Sequence, residues 1–146
     1  MHRSDVALVR FLALASVLAV LIGCQEGPAF KTVPVSVKVT YEDGSAIPGD
    51  YITVSFEPQA APADSQNRPR PGAGKISGGS GEVEGITTYE QGDGLVLGKH
   101  KVSLLAPTAD PTRSPIPKAY TERSTTPLEI EVTEANQKFE LKIPKP

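Results

Sequence analysis

Residues whose types could carry a reaction are few in this chain and stand far apart. Cys24 is the only cysteine, and His100 is the only histidine besides His2. Nucleophilic catalysis needs a nucleophile, a base beside it and a third group to orient the base. Ser80 lies in Gly78-Gly79-Ser80-Gly81-Glu82, where a nucleophile elbow would need glycine in place of Glu82. His100 alternates with Val102 and Leu104, the setting of a hydrogen-bonded residue at the rim of a core rather than of a base or a ligand. Zinc takes three or four protein ligands, which here would be carboxylates almost throughout, so no metal and no cofactor is expected. Gly94 to Lys99 lacks the four-residue gap of a phosphate loop. Glu42, Asp43, Glu90 and Asp93 fall in turns and could offer oxygens to calcium, but no calcium-loop spacing joins them, and they read as solvated acids. Contact is better served than reaction. Arg68 and Arg70 could meet an anionic glycan or a lipid headgroup, or stand solvated, and Lys118 with Tyr120 forms a second candidate for ligand contact.

Cys24 also closes the one strongly apolar run. Arg3 and Arg10 precede twelve residues, Phe11 to Ile22, that are apolar except for Ser16, and Gly23 leads into the cysteine. A basic start, an apolar stretch of about 7 to 15 residues and small residues before the cut make a secretory signal. A membrane-spanning helix would need about 20 apolar residues. Leu21, Ile22, Gly23 and Cys24 resemble the bacterial lipobox. The resemblance implies that the thiol takes a diacylglyceryl group, that the signal is cut before the cysteine and that the new amino terminus is acylated. The expected partner is therefore a membrane, held through the lipid on Cys24, because two or three acyl chains anchor durably where one holds only marginally. Gln25 stands where some bacteria place Asp to retain a lipoprotein in the inner membrane, which favours the outer membrane within the cell envelope.

Removing residues 1–23 leaves chain enough for one domain, able to bury roughly two thirds of its unfolded surface. The loss of Arg3, Arg10 and Asp5 takes the formal charge from -2 to about -3, and no basic patch for nucleic acid is apparent. With Cys24 lipidated, no thiol remains for a disulfide, so the fold must rest on its core. Fourteen prolines and thirteen glycines in a chain almost without helical periodicity point to strands joined by turns.

Residues 24–32, with Gly27 and Pro28, read as a tether. In 33–146, period-two alternation predicts strands over Val33–Tyr41, Asp50–Glu57 and Lys99–Ala106, a weak hairpin of Lys75–Ser77 with Glu82–Thr88, and a last hairpin of Leu128–Val132 with Phe139–Ile143 closed by Thr133–Gln137. In that hairpin Glu129 and Glu131 would pair with Lys138 and Lys142. Pro34 marks an edge or a strand start. Pro58 to Gly74 and Pro107 to Pro127 are long proline-rich connections, functional or merely mobile. About seven short strands make an all-β domain, a two-layer antiparallel β-sandwich. If every connection reverses the chain, Glu42 to Gly49, Gly78 to Gly81 and Pro107 to Pro127 lie at the end opposite the tether.

Five stretches, Val37 to Gly44 (VKVTYEDG), Val54 to Pro58 (VSFEP), Gly92 to Val102 (GDGLVLGKHKV), Ile116 to Tyr120 (IPKAY) and Leu128 to Val132 (LEIEV), resemble those of the small lipoproteins of planctomycete bacteria. Their domain is similar to the transthyretin-like, carboxypeptidase-regulatory-like sandwich. An aromatic such as Tyr often stands in that family where this chain has His100. Enzymes on the transthyretin-like fold use several histidines and a C-terminal Tyr-Arg-Gly-Ser, whereas this chain ends Ile143-Pro144-Lys145-Pro146. The expectation is a non-enzymatic, lipid-anchored envelope protein with a structural or interaction role. The alternative is a lipoprotein that binds a glycan, a peptide or calcium through its proline-rich loops. The absence of Trp weighs against a sugar surface.

Overall fold

In a computed structural model the described residues are 30–146, except Asp50, Ser65, Gly78 and Ala109. The segment 1–23, the four residues Leu21, Ile22, Gly23 and Cys24, and most of the tether lie outside them. No helix of the described residues is long and apolar enough to cross a membrane.

Alternation builds the strands where it is cleanest. Ile52, Val54 and Phe56 of one strand, and His100, Val102 and Leu104 of another, all turn inward and are buried, while Thr53, Ser55, Lys101 and Ser103 face outward. The strands in chain order are β1 Thr32–Val33, β2 Ser36–Tyr41, β3 Ile52–Pro58, β4 Gly72–Ile76, β5 Val83–Thr87, β6 Leu95–Val96, β7 Gly98–Leu105, β8 Glu129–Val132 and β9 Lys138–Ile143. Short 3₁₀ turns at Pro111–Arg113 and Lys118–Tyr120 interrupt the long connection before β8. One layer is an antiparallel five-stranded sheet in the order β5-β4-β3-β7-β8; the other is the pair β2-β9, with β1-β6 a two-residue pair beside it. Val37, Val39, Tyr41, Leu141 and Ile143 of the second layer close one core with Phe56, Ile76, Val102 and Leu104, and Ile47 and Ile116 from connections complete it. The chain is thus an all-β sandwich.

Three expectations are corrected. The terminal hairpin does not form: β8 pairs with β7, and β9 crosses to the other layer, where it runs parallel to β2. Charge and burial favour this outcome. Lys99 and Lys101 stand opposite Glu131 and Glu129, with Lys101 Nζ 3.6 Å from Glu129, so the acids of β8 face the bases of β7 instead of Lys138 and Lys142. Leu141 and Ile143 meanwhile sit level with Val39 and Tyr41 and are buried with them. The first strand is broken at Pro34 and Val35 into β1 and β2, as the missing proline N–H requires. The third correction concerns glycine: β4 begins at Gly72, within the stretch read as loop. A Cβ on Gly72 would come 2.9 Å from Thr88 Oγ1, and one on Gly74 would come 2.6 Å from Val83 Cγ1, so close strand packing selects glycine here.

The pairings fix which connections share an end. An antiparallel bridge between Lys38 and Glu82 makes β2 antiparallel to β5, and the remaining directions follow. Phe30 enters at what is called here the near end, with the β3–β4 and β8–β9 connections. The β2–β3, β4–β5 and β7–β8 connections leave from the far end, as expected. Tyr41 Oη ties two of these together by donating to Pro115 O at 2.7 Å.

Candidate functional site

The residues proposed for ligand contact are divided between the two ends. Arg68 and Arg70 are exposed on the β3–β4 connection at the near end. The Arg70 guanidinium lies 5.4 Å from the centre of the Tyr89 ring, and its backbone N–H donates to Tyr89 Oη at 3.4 Å. Lys118 and Tyr120 form a 3₁₀ turn of the β7–β8 connection; Lys118 is exposed and Tyr120 is half-buried against the core. The two pairs do not make one site, and Tyr89 and Tyr120 do not share a surface.

Of the four turn acids, Asp43 and Asp93 are engaged. Asp43 accepts from Lys145 Nζ at 2.6 Å, from Ser45 Oγ at 2.6 Å and from Ser45 N–H at 2.9 Å, and these contacts, the lysine first, hold its carboxyl well below the usual range. Asp93 accepts the N–H groups of Thr88, Tyr89 and Glu90 at 2.8 to 3.2 Å. Partial burial pushes its carboxyl up, but these bonds outweigh it and the net shift is downward. Asp93 thereby closes its own turn. Gly94 follows with φ +85°, and a Cβ there would meet the backbone of Val33 and Pro34. No group of three His, Cys, Asp or Glu able to hold a metal occurs among the described residues.

His100 is fully buried between Pro58 on β3 and Ile130 on β8. Its Nδ1 lies 3.1 Å from Gly98 O, which assigns the proton to Nδ1, and its Nε2 has no partner. Burial lowers its pKa, with the Gly98 carbonyl acting the other way, so the ring is neutral. It is a core residue, deeper than the rim position expected.

The surface feature that stands out is at the far end. Tyr51 is 48% and Leu105 60% exposed, the large apolar side chains most open to solvent among the described residues. Leu105 occupies an outward position of β7, and Tyr51 continues the outward phase of β3 just before it begins; the outward neighbours of both are polar. Thr53 pairs with Leu105, and continuing that register past the end of β3 brings Tyr51 beside Pro107. Two adjoining clefts result. One, of about 530 Å³, is lined by Leu105, Ala106, Ile116 and Lys118 together with hydroxyl residues; the other, of about 260 Å³, lies between Pro48, Tyr51, Pro107 and Pro115. They meet at Ala106 and Thr108. Of the residues proposed from sequence only Lys118 belongs here. In the sequence Tyr51 and Leu105 interrupt a polar phase, a signal that points to a site only once the β3–β7 register brings them together. Compared with protein-family models, curated proteins and solved structures, the chain matches none.

Proposed function

We propose that the protein is a lipid-anchored module of the bacterial cell envelope that works by contact rather than by reaction. Residues 1–23 direct export, Cys24 carries the lipid, and the sandwich is held at the membrane by its near end, in the outer membrane by the sign of Gln25. The carrying observation is the basic and apolar run that ends in Leu21-Ile22-Gly23-Cys24, with the chain's sole cysteine at the attachment position. The domain would be one of the transthyretin-like sandwiches of planctomycete-type lipoproteins. Two features support a role in contact. Asp43 spends its oxygens on Lys145 and Ser45 and Asp93 on its own turn, and the exposed apolar side chains gather at the end away from Phe30. Intact-mass analysis of protein purified from membranes of its native host, beside a Cys24→Ser form, tests the anchor. The expected mass is that of residues 24–146 plus acyl chains, lost in the variant; an unmodified mass from the soluble fraction would overturn it.

A further inference from the structure

We infer that the far-end groove formed by the two adjoining clefts binds an extended peptide segment of a partner protein, one that carries an acidic residue beside apolar ones. The inference rests on the reading of the protein as a contact module and names the partner's chemistry. Tyr51 and Leu105 supply the apolar anchors, standing where a sheet surface otherwise presents Thr53, Ser55, Lys101 and Ser103. Pro48, Pro107 and Pro115 give walls that cannot donate a backbone hydrogen bond.

Three of the four hydroxyl residues of the larger cleft are less polar than their names suggest, the exception being Ser114, whose Oγ accepts from Ile116 N–H at 3.2 Å. Thr108 Oγ1 donates to Asp110 O at 2.9 Å, Thr112 Oγ1 to Asp110 Oδ1 at 2.7 Å and Thr121 Oγ1 to Lys118 O at 2.9 Å, so their protons are turned back into the loop. Lys118 is the only charged residue lining either cleft, and among the described residues no carboxylate pairs with it. Glu122, the nearest acid in sequence, makes no ion pair with it, and Asp110, on the other side, is held by Arg113 at 3.4 Å. An apolar trough with one free cation is complementary to an apolar segment with one anion. A second copy of this chain fits worse, because a twofold contact through this groove would bury two Lys118 side chains with no carboxylate among the lining residues to pair them. The trough extends through two clefts of about 530 and 260 Å³ that share Ala106 and Thr108, which suits a chain with two anchors better than a small molecule.

The test is to pan a random displayed-peptide library on the full acylated protein in lipid nanodiscs, after subtraction on empty nanodiscs. Enriched peptides are expected to carry Asp or Glu within two residues of Leu, Phe or Pro. Their affinity should fall at least tenfold on Leu105→Asp and on Lys118→Glu, and Lys118→Glu should select peptides with Lys in the acidic place. Both side chains are exposed, and an unchanged thermal transition shows that each variant is folded. No enrichment, peptides without an acid, binding indifferent to both substitutions, or a dimer lost on Leu105→Asp would each overturn the inference. The intact mass is read on the same samples, so failure of the groove and failure of the anchor are seen separately.

Discussion

At the scale of single residues, His100 is the group whose surroundings make the sharpest demand. An imidazole buried with one nitrogen unpartnered is tolerable only while it is neutral, since desolvation penalises the charged ring. The unfolded chain protonates this side chain near pH 6.5, whereas the folded chain does so only at lower pH. Between those values the unfolded state holds more protons, so stability falls as the pH drops below about 6.5, by at most about 1.4 kcal/mol per pH unit from one group. The depressed carboxyls of Asp43, Asp64, Asp93, Asp110 and Glu134 act with the same sign but in a separate, more acidic range, below the ordinary carboxylate pKa, where they lose the stability they contribute at neutral pH. The interval from pH 6.5 to 5 therefore isolates His100. Thermal unfolding across it should show a falling Tm that is flattened in His100→Leu, a change that also removes the unpaired acceptor; an identical slope in the variant would mean that the ring does not titrate as argued.

At the scale of elements, the long β7–β8 connection must be held against the sheet it leaves, because it has to deliver β8 to the edge of β7. Thr126 does this from a buried position: its Oγ1 donates to Val102 O at 2.6 Å and accepts from Leu128 N–H at 3.2 Å. Thr126→Val keeps the volume and strands both backbone groups, a loss of about 1–3 kcal/mol. Urea denaturation should report that loss with an unchanged m-value, and Thr126→Ser should restore most of it. Such ties explain what could be foreseen. Strands with one apolar and one polar face, β2, β3 and β7 above all, were legible because alternation is local. The partner of β9 was not, since Phe139, Leu141 and Ile143 satisfy a hairpin with β8 as well as a parallel pairing with β2, and acids of β8 find lysines in either arrangement, so only the burial of β9 against β2 together with the β7–β8 pairing distinguishes them. Glycine concealed β4, because Gly72 and Gly74 read as loop until their neighbours are known. At the candidate site Lys118 was found from its type, but Tyr51 and Leu105 needed the register that sets β3 against β7.

At the scale of the whole molecule, strand directions and the proposed anchor together imply an orientation. Phe30 and the β8–β9 turn share the near end, while the β2–β3 turn lies at the far end; the eight residues of β7 alone span about 26 Å between them. The nine residues from Cys24 to Thr32 reach at most about 32 Å, so under the proposed anchor the near end stays within that reach of the bilayer, and an upright sandwich sets the groove of Tyr51 and Leu105 farther out. Cys24 leaves no free thiol once acylated, which makes a single introduced cysteine a clean label. A fluorophore on Ala135→Cys, in the near-end turn, should be quenched at least twofold more by nitroxide-headgroup lipids than one on Ala46→Cys, in the far-end turn; both sites are exposed. Adding Cys24→Ser should abolish quenching at both. Equal quenching at the two sites would mean that the sandwich lies along the membrane, with its groove at the lipid surface rather than turned toward a partner.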